Sequence, residues 1–218
     1  MLVAVAGAVA GLALMRAAMY HPASPVGSPV RRIPPARGVA LTFDDGPDPE
    51  WTPRVLDALE HAGVRASFFV LGERAERHPE VVRACAAAGH RVEVHGWRHR
   101  AATWQRPRDV AAELVRCVAL LASLTGRRPR WYRPPYGARP WGTRCFRDQG
   151  LRLVTWSWWC RDWAGGARED EPIRDARAGD VALLHDGPTA SPAARARTLE
   201  AIARLAASGL ALGPLDDP

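Results

Sequence analysis

Lysine is absent from this 218-residue chain: all thirty basic residues are arginine, set against 23 acids for a formal net charge of +7. An arginine-only surplus invites a nucleic-acid reading. The arginines, however, are scattered and mixed with acids, so no nucleic-acid partner is expected. The charge reads mainly as genome composition, with weak attraction to an anionic surface such as a cell wall or membrane. Cysteine is sparse. Cys85, Cys117, Cys145 and Cys160 form no Cys-x-x-Cys pair, which excludes a zinc knuckle and a thioredoxin-type site. Three of them fall in expected helices, where a free thiol behaves as a small apolar residue, so they leave the redox compartment open. No internal repeat is present.

Long apolar runs are confined to the N-terminus. Residues 2–15 carry no charge and are followed by Arg16. Extension to Tyr20 approaches the roughly 20 residues that span a bilayer. The run also resembles the apolar part of a secretory signal, although the positive residues that normally precede one are missing. Residues 21–37 follow, with five prolines and no apolar periodicity, the composition of a tether. That succession favours an anchor or export segment at 1–20 over a buried core helix. A linker at 21–37 and a single domain at 38–213 complete the division. With hydrophobic residues at 47%, a chain of this length can close one substantial core.

Within that domain, short apolar runs alternate with helical patterns. Strands are expected at 39–43, 66–71, 91–94, 131–133, 151–158 and 180–184. Helices are expected at 52–61, with Thr52 as cap and Pro53 in the first turn, and at 79–88, 107–125, 142–149 and 191–207. This alternation gives an α/β fold with a parallel sheet of six or seven units. An open doubly wound sheet and a closed or distorted barrel both fit. In either, functional groups gather at the carboxyl ends of the strands.

The polar residues at those ends converge. Asp44 and Asp45 close the first strand before Gly46-Pro47. Adjacent carboxylates resist joint ionisation, and a metal ion or a shared proton removes the penalty; alone, the sequence could also be a turn. His95 and His99 follow the third strand, four residues apart, a spacing that on one helical turn puts both imidazoles on one face. Arg133 follows the fourth strand, Asp162 and Trp163 the fifth, and His185 and Asp186 the last. Two imidazoles with one strand-end Asp leave coordination positions open, as a catalytic metal site requires. Zinc is the default, while cobalt, manganese or iron also accept mixed nitrogen and oxygen ligands.

Five motifs carry a family resemblance: Thr42-Phe43-Asp44-Asp45-Gly46-Pro47, His95-Gly96-Trp97-Arg98-His99, Arg133-Pro134-Pro135-Tyr136-Gly137, Asp162-Trp163, and Leu183-Leu184-His185-Asp186. In this order they resemble the polysaccharide deacetylases of the NodB-homology group, carbohydrate esterase family 4, over nearly all of the chain after the linker. The resemblance implies a distorted (β/α) barrel of about seven strands. It implies Asp45, His95 and His99 as metal ligands and Asp44 as the general base, oriented by Arg133. The Tyr136 backbone N–H would stabilise the tetrahedral oxyanion. His185 would be the general acid, with Asp162 raising its pKa. Leu183 and Trp163 would line the pocket for the acetyl methyl.

Two departures bear on substrate preference. Val94 and Gly96 stand where the family usually has Asn and Ser or Thr, and Trp159 stands where it often has Asp. The cluster Trp156, Trp158, Trp159 and Trp163 is unusually aromatic, and an exposed member could stack on a sugar ring. The resemblance implies a metal-dependent hydrolase of non-peptide carbon–nitrogen bonds. It would remove acetyl groups from an N- or O-acetylated glycan, outside the cytoplasm if the N-terminal reading holds, with peptidoglycan or another envelope polymer as candidates. A smaller amide substrate, or a non-catalytic glycan-binding module on the same fold, are the alternatives.

Overall fold

The computed structural model describes residues 28–163, 172–188 and 191–216. The segment at 1–20 and the first part of the 21–37 stretch lie outside them. The chain forms β1 (Val39–Asp44), α1 (Trp51–His61), β2 (Ser67–Val70), α2 (Gly72–Arg77), α3 (Pro79–Ala87), β3 (Arg91–Val94) and α4 (Pro107–Thr125). It continues through β4 (Trp131–Tyr132), α5 (Arg144–Arg147), β5 (Arg152–Leu153), β6 (Trp158–Trp159), β7 (Val181–His185), α6 (Pro192–Ala207) and β8 (Leu212–Gly213). The strand order is β5-β4-β3-β2-β1-β7-β6, with β8 also pairing β1. Every strand pair is parallel. The sheet is a curled, incomplete barrel wrapped in helices, as expected.

Strand periodicity sorts the side chains into two layers. Val39, Leu41 and Phe43 of β1 join Phe68 and Val70 of β2, and Ala182 and Leu184 of β7, in the large core beneath the helices. Phe43 and Phe68 stack there with centroids 5.0 Å apart; each fully buried ring contributes about 2–3 kcal/mol. Ala40, Phe69, Trp131 and Val181, of opposite parity, form a smaller inner cluster. Because successive strand side chains point to opposite faces, Thr42 and Asp44 follow Ala40 to the inner face. Leu183 and His185 follow Val181 in the same way. Asp44 and His185 are partners in the β1–β7 register.

Several elements differ from the sequence expectation, each for a local reason. The strand expected at 151–158 is two short strands, because Val154 bridges to Val30 instead of continuing along the sheet. Val30 donates to the Leu153 carbonyl and accepts from the Thr155 N–H, both at 2.8 Å, and Ile33 donates to Gly179 at 3.0 Å. Residues 28–37, read as part of the tether, are therefore laid along the seam between β5 and β7. Thr52 is not a helix cap: α1 begins at Trp51, whose N–H donates to the Asp48 carboxylate at 2.7 Å. The Thr52 hydroxyl instead donates to Asp186 Oδ2 at 2.7 Å. The helix at 142–149 shortens to four residues, and α2 and β8 were not anticipated. The end of α4 is as read: Gly126, at φ 69°, takes the left-handed position past the helix and its N–H caps the Ala122 carbonyl.

Candidate active site

Asp44 ends β1 facing inward, and Asp45 would by strand alternation face away. Asp45 adopts φ 74°, a left-handed conformation that Asp tolerates better than most residues. The alternation breaks there, and both carboxylates line one cavity of about 280 Å³. The turn needs close backbone approach. A Cβ on Gly187 would lie 2.5 Å from the Asp45 Cβ, and one on Gly46 would lie 2.2 Å from Asp186 Oδ2.

The ten residues singled out from the sequence converge on this cavity. Asp44, Asp45, His95, His99, Tyr136, Trp163, Leu183 and His185 line it, with Trp156 as a further wall. Arg133 and Asp162 stand behind it, both buried. A hollow of about 470 Å³ between α1 and α6, lined in part by Trp51, Arg54, Arg195 and Leu199, gathers no comparable set of acids and bases.

His95 and His99 do not share a helical turn. His95 directly follows β3, and the chain then bends through Gly96 at φ 102°. This left-handed position explains glycine where the resemblance leads one to expect Ser or Thr. The two imidazoles still reach the same point. His95 Nδ1 is 2.7 Å from the Arg133 carbonyl oxygen, which can only accept, so the proton sits on Nδ1 and Nε2 presents its lone pair. His95 Nε2 and His99 Nε2 are each 3.1 Å from Asp45 Oδ1. Asp45 Oδ1 is buried and has no hydrogen-bond partner among the described residues.

A carboxylate oxygen facing two imidazole nitrogens, with one imidazole tautomer pinned, is satisfied by a cation between them. Donors about 2.1 Å from one ion in a tetrahedral shell sit about 3.4 Å apart. The three donor atoms lie within 4.8 Å of one another, so these residues fit a divalent metal. Burial would raise the Asp45 carboxyl, but the His95 and His99 imidazoles beside it hold it well below the usual carboxylate range. Burial works against charge on His95, but Asp44 and Asp45 outweigh it and raise its pKa.

Asp44 is held by a rigid buried cation. Arg133 Nη1 donates to Asp44 Oδ1 at 2.7 Å and to Thr42 Oγ1 at 2.8 Å, and its Nη2 donates to the Thr155 carbonyl at 3.1 Å. The guanidinium lies 4.2 Å over the Phe69 ring. One carboxylate oxygen is thereby fixed, and Oδ2 is turned towards His95 Nε2 at 3.9 Å. Tyr136, at φ 60°, projects its ring outward and edge-on to His99 at 4.4 Å.

On the opposite wall, His185 Nδ1 donates to Asp162 Oδ1 at 2.8 Å, and the other Asp162 oxygen accepts from the His185 N–H at 2.7 Å. Thr198 Oγ1 on α6 also donates to Asp162 Oδ2, at 2.9 Å. Burial disfavours the imidazolium, but the adjoining Asp162 carboxylate outweighs it and lifts His185 to about 9. Trp163 stands edge-on to the His185 ring at 5.2 Å. Asp186 is a different case: it is buried, bonded to Thr52, and pushed up to about 7 by burial, which suits a structural acid under the β1 turn. Trp159, at the position where Asp is frequent in the resembling family, is covered by Arg174 at 4.3 Å. Thr198 and Thr42 were missed by sequence reasoning. The available signal for Thr198 was a lone hydroxyl on a buried face that otherwise carries Ala194, Ala201, Ile202 and Leu205, with Arg197 as its one charged member.

The chain is similar to several characterised proteins. A peptidoglycan-N-acetylglucosamine deacetylase of Bacillus cereus is 35% identical over 158 residues, 69% of this chain and 56% of that protein. The chain thus spans little more than half the length of that relative. A chitooligosaccharide deacetylase of Azorhizobium caulinodans is 34% identical over 210 residues, 88% of this chain and 99% of that protein. Among solved structures, a peptidoglycan N-acetylglucosamine deacetylase in complex with 4-naphthalen-1-yl-N-oxidanyl-benzamide superposes with a TM-score of 0.75 at 30% identity, covering 85% of this chain and 89% of that one. The polysaccharide deacetylase family model matches residues 31–153. That match covers more than half of the 218 residues and includes β1, the His95–His99 bend and Arg133; the chain belongs to the polysaccharide deacetylase family.

Proposed function

We propose that this protein is a metal-dependent hydrolase that removes the acetyl group from an N-acetylated sugar, releasing acetate and a free amine. The observation that carries the reading is the opposition of Asp44 and His185. They are paired across β1 and β7 and share one cavity with the three-donor set. One is anchored by a buried arginine and the other holds its proton to about pH 9.

Asp45, His95 and His99 would hold a divalent cation, with zinc as first choice and cobalt or manganese also compatible; bound there, it would supply Lewis acidity to polarise the acetyl carbonyl and acidify water. Asp44, fixed at Oδ1 by Arg133, takes the proton of the attacking water at Oδ2. Tyr136 offers its backbone N–H to the oxyanion as the carbonyl carbon becomes tetrahedral. Leu183, Trp156 and Trp163 give the acetyl methyl an apolar wall. His185, whose Nδ1 is held by Asp162, donates from Nε2 to the leaving nitrogen as the C–N bond breaks.

This last step favours an amide over an ester. An amine departs readily only when protonated, and a general acid that keeps its proton to about 9 serves that need. The names of the relatives support a sugar substrate of the peptidoglycan or chitooligosaccharide type. An envelope glycan would further agree with the anchor or export segment expected at 1–20.

The test is acetate release by the zinc-loaded full chain from N-acetylglucosamine oligomers and peptidoglycan fragments, beside Asp44→Asn. Release that needs zinc and Asp44 is expected. Undiminished release by Asp44→Asn overturns the assigned base, and no release from any N-acetylated sugar overturns the reading.

A further inference from the structure

Five large apolar side chains are substantially exposed among the described residues, and four are aromatic. Tyr136 and Trp163 stand at the cavity mouth. The other two, Trp104 and Trp141, lie on the loops that continue from the site: Trp104 is five residues past His99, and Trp141 five past Tyr136. Trp104 is 70% exposed and Trp141 44%. Exposed apolar side chains gathered in one patch mark a contact surface, whereas single ones need no explanation.

The two loops are joined into one rigid surface. Thr103 Oγ1 donates to the Arg139 carbonyl at 2.9 Å, a buried bond, and Trp141 Nε1 donates to the Thr103 carbonyl at 2.9 Å. The first loop is also closed internally: the Trp104 N–H donates to Ala101 at 3.1 Å, and Gln105 Nε2 to the Arg100 carbonyl at 3.3 Å. Ala102 and Thr103 are buried beneath it. With its only polar atom used internally, Trp141 has just its ring faces to offer. Indole faces carried on such bonded loops suit a flat ligand with an apolar side and polar edges, at little ordering cost. A pyranose ring has that shape, its C–H groups on one face and its hydroxyl and acetamido groups around the rim.

We propose that Trp104 and Trp141 form a sugar-stacking subsite that holds a ring of the glycan chain flanking the one being deacetylated, so that the enzyme prefers chains over single sugars. The inference rests on the proposed glycan deacetylation, and continuity decides the occupant. Both tryptophans lie on the loops that supply His99 and Tyr136, which are bonded to each other and meet at the mouth, where the Tyr136 ring is edge-on to His99. A chain seated in the cavity would extend its next rings over these loops. Neither tryptophan lines the cavity itself, so their loss leaves the reacting groups in place.

The experiment compares kcat/KM for chitobiose and chitohexaose, using the zinc-loaded full chain and the variants Trp104→Ala, Trp141→Ala and the double. Loss of one aromatic packing partner corresponds to about two- to tenfold in binding. The expected result is that fall for the hexamer in each single variant, a larger one in the double, and unchanged turnover of the dimer. Trp141→Phe, which keeps a stacking face but loses the bond to Thr103, should retain most of the hexamer preference. An unaltered preference in the double variant overturns the subsite while leaving deacetylation standing. Equal losses for dimer and hexamer also overturn it, since they signal damage to the loops. If the wild type deacetylates neither, calorimetry with chitohexaose decides: binding that the double variant loses supports the subsite, and absence of binding, as for a surface that meets a protein or a membrane instead, overturns it.

Discussion

Replacing Asp162 by Asn should move the basic limb of the pH–rate profile, and the structure gives the size of the move. His185 is held at about 9, against an ordinary 6.5, by a carboxylate in contact with its Nδ1. That difference corresponds to roughly 3 kcal/mol of preference for the imidazolium. Burial pushes the other way and only the smaller contributions of Asp45 and Asp44 remain, so without the Asp162 charge His185 should titrate well below 9. The amide is nearly isosteric, and its oxygen remains drawn to the His185 N–H and the Thr198 hydroxyl. Its NH2 then faces Nδ1 and favours the neutral ring. The sign follows from the direction of the shift: the proton is present below the folded pKa and lost as pH rises through it. With His185 back at its ordinary 6.5, the protonated fraction at about pH 8 falls from near nine-tenths to about 3%, about thirtyfold, whereas near pH 6 the two proteins differ by less than about twofold. A cation at Asp45 offsets the smaller contributions of Asp44 and Asp45, lowering the wild-type limb and trimming the factor. The contact with Asp162 persists. The assay is acetate release from chitooligosaccharide between about pH 5.5 and 9.5. A variant with its basic limb where the wild type has it, or one equally slow at every pH, would refute the reasoning.

Three further outcomes are expected. Thr198→Val removes one of the donors that partly neutralise Asp162 without touching the cavity; the carboxylate should then hold the His185 proton more firmly and the basic limb rise by a small step, and Thr198→Ser should restore it, whereas a limb in place would leave Thr198 a packing residue. His99→Ala breaks the donor set but spares the core, so the rise in melting temperature that zinc gives the wild type should disappear; a retained zinc-dependent rise would sink the ligand assignment. Arg133→Met strands a buried Asp44 carboxylate and should destabilise the fold by about 3–5 kcal/mol; urea unfolding measures it, and a loss below 1 kcal/mol would mean that water replaces the guanidinium.

Much of the site was readable because its residues sit at strand ends. A strand's apolar run and the polar residue that stops it are local patterns, and Asp44, His95, Arg133 and His185 each follow or close such a run. Arg133 and Asp162, far apart in the chain, could be named from their motifs. What neither motif nor spacing contains is their partner atoms: Arg133 bonds across 89 residues to Asp44, and Thr198 across 36 to Asp162. The Thr52 hydroxyl was misassigned for the same reason. A Thr beside Pro is a good local cap, but Asp186, 134 residues away, offered a buried acceptor, and a buried polar group must be satisfied by whatever the fold brings near.

The sequence by itself determined the parallel α/β order, the parity that turns Asp44 and His185 to one face, and which acids and histidines stand at the strand ends, because period-two alternation and strand-end chemistry are properties of short segments. Only the tertiary structure decided that the sheet curls with residues 28–34 against its seam. It alone turned Asp45 at φ 74° to stand beside Asp44, brought two histidines that share no helix to 3.1 Å from one oxygen, and stitched Trp104 and Trp141 into one surface. Each of these depends on contacts between segments remote in the chain, and such contacts form where closing the whole core outweighs the preference of any one segment.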